Sequence, residues 1–120
     1  MSYKLFLDDE RIPQKVFWVP LPLGPWVIVR SYNEFVEHIT KNGLPEFISF
    51  DHDLSFEDQN VGGKSPDEYK EKTGMHCAHW LVNFCLDNNL KCPNFTVHSM
   101  NPVGARNIRC LLQDFIISQE

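Results

Sequence analysis

No apolar run in this chain reaches the ~18 residues that a membrane-crossing helix needs, and the opening MSYKLFLDDE lacks the basic start and long apolar stretch of a secretory leader. A soluble, cytoplasmic protein with no membrane partner is therefore expected. Positive charge is also scarce: 11 Lys and Arg stand against 16 Asp and Glu, a formal charge of −5. Broad nucleic-acid-binding faces rest on many Lys and Arg contacts to phosphate, so this composition argues against one. Phosphate recognition remains open, but only through a metal, a helix N-terminus or one or two placed arginines. Cys77, Cys85, Cys92 and Cys110 form no CxxC pair, which leaves reduced thiols packed in the core as the expectation. Gly62-Gly63-Lys64 looks like a fragment of a phosphate loop, but the full Walker spacing is missing, so Lys64 reads as a lid lysine. There is no internal repeat, low-complexity segment or domain linker.

What is present is enough for one core. With 120 residues, 42% hydrophobic and including nine Phe and three Trp, residues 1–120 are expected to fold as a single domain. Tyr3 to Leu7, Trp26 to Val29, Phe47 to Phe50 and Phe95 to Val97 are short apolar runs with strand character. Between the first two, Pro13, Pro20, Pro22, Gly24 and Pro25 rule out a regular helix.

Three helices are expected. Ser31 with Glu34 predicts a capping box for a helix whose apolar face is Tyr32, Phe35, Val36 and Ile39, closed by Gly43. Thr73 is placed to cap a second helix, with Met75, Ala78, Val82 and Cys85 on one stripe flanked by Leu81 and Leu86. Asn101-Pro102 starts a third, with Ile108, Leu111, Leu112, Phe115 and Ile116 at core spacing. The polar stretch from Ser55 to Thr73 is long for a plain connection, and Ser65-Pro66-Asp67-Glu68 predicts a short helix within it through Lys72. This order predicts an α/β fold with a mostly parallel four-stranded sheet. Trp18, Trp26 and Trp80 read as core rather than as a stacking platform.

The chemistry-bearing residues follow the strands. Asp8-Asp9, Asp51-His52-Asp53 and His98-Ser99 each come directly after an apolar run, and in a parallel sheet these strand ends open onto one crevice. Carboxylates gathered there repel one another, and a divalent cation with oxygen ligands relieves the repulsion. Asp8, Asp9, Asp51 and Asp53 are the candidate metal ligands, with Mg²⁺ or Mn²⁺ suited to carboxylates and a ligating histidine moving the choice toward Mn²⁺, Zn²⁺ or iron. Imidazole is the side chain suited to proton transfer near neutral pH, so His52 and His98 are candidate acids or bases. Arg11, Ser99, Asn101, Gly104, Arg106 and Asn107 are candidate phosphate contacts, the two arginines through planar bidentate guanidinium contacts and the segment from Asn101 to Asn107 because a helix start carries free N–H groups and the positive end of the helix dipole.

Three segments together, Leu5-Phe6-Leu7-Asp8-Asp9-Glu10-Arg11-Ile12-Pro13, Ile48 to Leu54 and Val97 to Ile108, resemble the LDDxRxP, DHDL and HSxNPxGxxN motifs of the cyclic-phosphate-processing receiver-like family. The resemblance implies a small receiver-like, flavodoxin-like three-layer fold and activity on cyclic phosphates of nucleotides or RNA ends, in bacteria and their phages. By similarity to phosphoacceptor receivers, Asp8 and Asp9 would hold the metal, Asp51 would be the acceptor and Ser99 would take the hydroxyl position. The chain departs from that pattern by lacking a fifth strand and its lysine, and by placing histidines after Asp51 and before Ser99. A metal-dependent phosphoesterase is the leading expectation. A non-catalytic nucleotide- or phosphate-binding module and a degenerate receiver phosphorylated on Asp51 are the alternatives.

Overall fold

Lys4–Leu7 (β1), Trp26–Val29 (β2), Phe47–Phe50 (β3) and Asn94–Val97 (β4) form one sheet in the order β2-β1-β3-β4, in a computed structural model that describes residues 3–54 and 72–120. All three strand pairs are parallel. The chain steps outward from β1 to β2 and then returns past β1 to β3. The strand order therefore reverses between β1 and β3, where open α/β sheets bind ligands. Among the described residues no helix is long and apolar enough to cross a membrane.

The helices are Tyr32–Asn42 (α1), Gly74–Asn88 (α2) and Pro102–Ser118 (α3). Each starts on a side-chain cap, because the first N–H groups of a helix have no partner within it. Ser31 accepts from the Glu34 N–H, but the Glu34 carboxylate reaches back to the Arg30 N–H, one residue beyond the expected capping box. Thr73 caps α2, and the returning side chain there is His76, whose Nδ1 accepts from the Thr73 N–H at 2.9 Å. Asn101 caps α3, with Pro102 at the first helical position.

All three helices pack on one face of the sheet. Leu5, Leu7, Ile48, Phe50 and Val97 project into a single apolar cluster with Phe35 and Ile39 of α1, Leu81 and Cys85 of α2, and Ile108, Leu112 and Phe115 of α3. Each fully buried large side chain of this kind contributes about 1.5–3 kcal/mol over its exposed state. The buried seam of α2 is Cys77, Ala78, Leu81 and Cys85, rotated from the expected stripe. Met75 and Val82 are half-buried, and Leu86 is exposed. The cysteines are free: Cys77 and Cys85 are core thiols, Cys92 is half-buried and Cys110 is exposed, outside the expected core.

The other face carries the alternate residues of the same strands. Phe6 meets Trp26 edge-on at 6.0 Å, and Trp26 meets Phe47 the same way. The irregular segment between β1 and β2, with a 3₁₀ turn over Pro13–Lys15 and a buried Val16, serves this side in place of a helix. Lys64 and all but the last residue of the short helix expected from Ser65 to Lys72 lie outside the described residues.

Candidate functional site

The parallel register sets the site. Leu7 stands beside Val29 and Phe50, and Phe50 beside Val97, so the residues one step further form a row across the sheet end. Backbone bonds extend the ladder through that row: Asp8 N–H to Val29 (3.1 Å), Asp51 N–H to Leu7 (2.9 Å) and His98 N–H to Phe50 (2.9 Å). Strand alternation then places Asp8 with Phe6, Asp51 with Ser49 and His98 with Thr96, away from the helices.

Asp8, Asp51 and His98 are all buried, and each offers a ligating atom within 4.8 Å of the others'. Asp8 is tightly held. Its Oδ1 accepts from the backbone N–H groups of Glu10 (2.9 Å) and Arg11 (2.8 Å), and its Oδ2 from His98 Nε2 (2.9 Å) and Arg11 Nη1 (3.2 Å). Burial alone would raise the Asp8 carboxyl, but these bonds outweigh it and hold the group well below the usual carboxylate range.

Asp51 has fewer partners. Its Oδ1 accepts from the His52 N–H at 2.9 Å, and its Oδ2 lies 3.8 Å from Arg11 Nη1. Burial and the neighbouring Asp8 charge push it up to about 6. A buried carboxylate pair shared by one guanidinium is short of positive charge, and two carboxylates with an imidazole are donors that a divalent cation accepts. The residues present therefore fit such an ion.

His98 cannot swing. Its ring lies flat on Phe6 (4.5 Å, 6°), Nδ1 is 2.6 Å from Ser49 Oγ, and its carbonyl accepts from Trp18 Nε1 at 2.7 Å. His52 Nδ1 lies 2.9 Å from Oδ1 of Asp53, which lines the cleft above the row, whereas His52 itself does not. Asn101 Nδ2 donates to Asp53 at 3.3 Å, and together with His52 it holds Asp53 below its usual value. Gly104 lies under the His52 ring: a Cβ there would come within 2.3 Å of His52 Cγ.

A cleft of about 310 Å³ opens above the row, lined by Asp9, Glu10, Arg11, Asp51, Asp53, Ser99, Met100 and Asn101. Larger hollows occur elsewhere, but this one reaches Asp51 of the buried cluster and the Arg11 that pairs with it. Asp9 and Asp53 line the cleft without joining the Asp8, Asp51 and His98 cluster. Ser99 Oγ accepts from the Asn101 N–H and so shapes the loop. The start of α3 is largely engaged: Pro102 has no N–H, Gly104 donates to Asn101 Oδ1 and Ala105 to the Asn101 carbonyl. Arg106 and Asn107 are exposed and do not line the cleft.

Sequence reasoning missed four supporting residues. Ser49 interrupts an apolar strand two positions before Asp51, a signal that places it on the same face. Arg30 follows β2 as Asp8 follows β1, and its Nη1 donates to the carbonyls of Asp8 and Arg11. Trp18 holds the His98 backbone, although nothing in its local sequence indicates this. Gly74 begins α2 against the Asp51 carbonyl, where a Cβ would come within 1.8 Å.

A family model described as the cyclic-phosphate processing receiver domain matches residues 3–114 of the chain. No curated protein and no solved structure matches it.

Proposed function

The chain belongs to the cyclic-phosphate processing receiver family, and from that premise we propose that its strand-end cleft hydrolyses the cyclic phosphate of a nucleotide or an RNA end with the help of a divalent metal. The observation that carries this reading is the meeting of Asp8, Asp51 and His98 within 4.8 Å, beside an arginine that reaches both carboxylates. Asp8 and Asp51 would hold the ion through oxygen, with Mg²⁺ or Mn²⁺ as the metal, and His98 would add Nε2 as the nitrogen donor in the tautomer that carries its proton on Nδ1 toward Ser49 Oγ. When bound, the ion supplies Lewis acidity toward phosphate oxygens.

The chain's own residues divide the remaining work. Ser49 and Phe6 orient the His98 ring, as partners of a ligating histidine do elsewhere. Arg11 turns its remaining guanidinium donors toward the phosphate. His52 would be the proton carrier, its Nδ1 held by Asp53, which itself lines the cleft, and its Nε2 taking the proton. Hydrolysis forms a bond from water oxygen to phosphorus, breaks one ring P–O bond and returns a proton to the leaving ribose oxygen. The product is a phosphomonoester.

Incubation of the Mn²⁺- or Mg²⁺-loaded protein with 2′,3′-cyclic nucleotides and cyclic-phosphate RNA tests the proposal. Ring opening that is lost in Asp8→Ala and His52→Ala is the expected result. A folded, metal-loaded protein that turns over none of these substrates overturns it. Labelling of Asp51 by acetyl phosphate in place of turnover would make the chain a phosphoacceptor instead.

A further inference from the structure

Phe17 is 88% exposed, and its ring meets that of Trp18 edge-on at 5.2 Å. Trp18 is not part of the helix-side core. Its indole carries the Arg11 guanidinium at 5.4 Å from the ring centroid and donates its N–H to the His98 carbonyl at 2.7 Å. Arg11 in turn reaches Asp8 at 3.2 Å and lines the cleft, as does Met100, which is 66% exposed. An aromatic pair thus stands two side chains from the buried carboxylates, tied to them by a cation that stacks on one of its rings.

We infer that Phe17 and Trp18 form a nucleobase platform at the rim of the phosphate cleft, so that the ligand is a nucleotide or a nucleotide at an RNA end rather than a base-free cyclic phosphate. The inference rests on the phosphate reading of the cleft and adds a base-binding half to it. Every base has a π face, and aromatic side chains or arginine planes stack on it without needing the basic surface this acidic chain lacks. Phe17 contributes little to the core at such exposure, so fold stability does not account for its aromatic ring. Its contact with Trp18, the ring that carries Arg11, distinguishes it from the scattered apolar residues that any surface carries.

The test compares binding of adenosine 3′-monophosphate and glycerol 2-phosphate by titration calorimetry in saturating Mn²⁺, using phosphomonoesters that ring opening does not consume. The wild-type protein should favour the nucleotide by roughly tenfold or more. Phe17→Ala should bring that preference close to unity, and Phe17→Tyr should restore it. An equal preference in wild type and Phe17→Ala overturns the platform while leaving the phosphoesterase reading intact. Phe17-dependent binding of the nucleotide without turnover of any cyclic phosphate keeps the platform and overturns the phosphoesterase reading. Binding of neither compound overturns the platform together with the phosphate reading of the cleft. A Phe17-dependent dimer in sedimentation, with no preference for the base, replaces the nucleobase with a second copy and likewise overturns it.

Discussion

The two faces of the sheet are built from alternate residues of the same four strands, yet they are held together differently. On the helix side, Leu5, Leu7, Ile48 and Phe50 meet a continuous apolar layer, and stability there is spread over many small contacts. On the linker side, Ser49, Asp8, Asp51 and His98 depend on a few directed bonds, several of them to charged groups, with Phe6 stacked on the His98 ring. Among the described residues no buried side-chain polar atom lacks a partner, so the polar face is satisfied as well as buried. The difference teaches that one face carries the fold while the other spends stability on placing charges. Substitutions on the two faces should therefore fail in different ways.

The largest effect should come where the two faces share a contact. Gly74→Ala drives a Cβ into the Asp51 carbonyl, a backbone atom with little room to move. Thermal or denaturant unfolding should show a loss on the order of 3–5 kcal/mol, together with loss of metal binding. Leu112→Ala, on the helix side alone, should cost about 2–5 kcal/mol in denaturant while leaving metal affinity per folded molecule unchanged. Weakened metal binding in that variant would break the separation of the faces.

Asp51→Asn should act in the opposite direction. The folded protein keeps the Asp51 proton up to about 6, against an ordinary value of 3.8. Between those values the folded state binds more protons than the unfolded one, so this group's contribution to stability falls as pH rises through the window and then levels. Asp8 runs the other way, because its carboxyl is held low: its contribution is present above the ordinary value and is lost as pH falls below it. Without divalent metal, Asp51→Asn should stabilise the protein at pH 7.5 by roughly 1–2 kcal/mol, after allowance for solvent screening, and should remove the decline between pH 4 and 6. In the wild type, metal affinity by calorimetry should rise through pH 6 and then level as Asp51 ionises.

Smaller effects sharpen the comparison. Ser49→Ala frees the His98 ring, and it should lower metal affinity about tenfold with a stability cost of about 1 kcal/mol. Arg106→Ala should change stability by less than about 0.5 kcal/mol and leave ring opening intact, because the side chain is exposed and outside the cleft lining. A large fall in activity there would restore Arg106 to the phosphate site.

The strands were legible because each is a short apolar run bounded by polar or turn residues, and their ends shift by no more than one residue at β1 and β4. The caps at Ser31, Thr73 and Asn101 were legible for a similar local reason. The seam of α2 was not. In the sequence from Gly74 to Asn88, both Met75-Ala78-Val82-Cys85 and Cys77-Ala78-Leu81-Cys85 are acceptable helical stripes, and only docking onto the sheet chooses between them. Asp8 and Asp51 were visible as strand-end acids, but Asp9 looked equivalent to Asp8 until the bend after β1 left Asp9 on the cleft lining and outside the buried cluster.

The sequence by itself determined the order of elements, the parallel sheet class and the placement of acids and histidines at strand ends, because periodicity and proline act locally. It also carried the family motifs. Only the tertiary structure decided that Arg11 stands between Asp8 and Asp51, that Ser49 and Phe6 lock His98, and that Trp18 reaches from the linker to the His98 backbone. Those contacts join residues separated by as many as 92 positions, from Phe6 to His98, and the chain can bring them together only after the strands have paired and set the register.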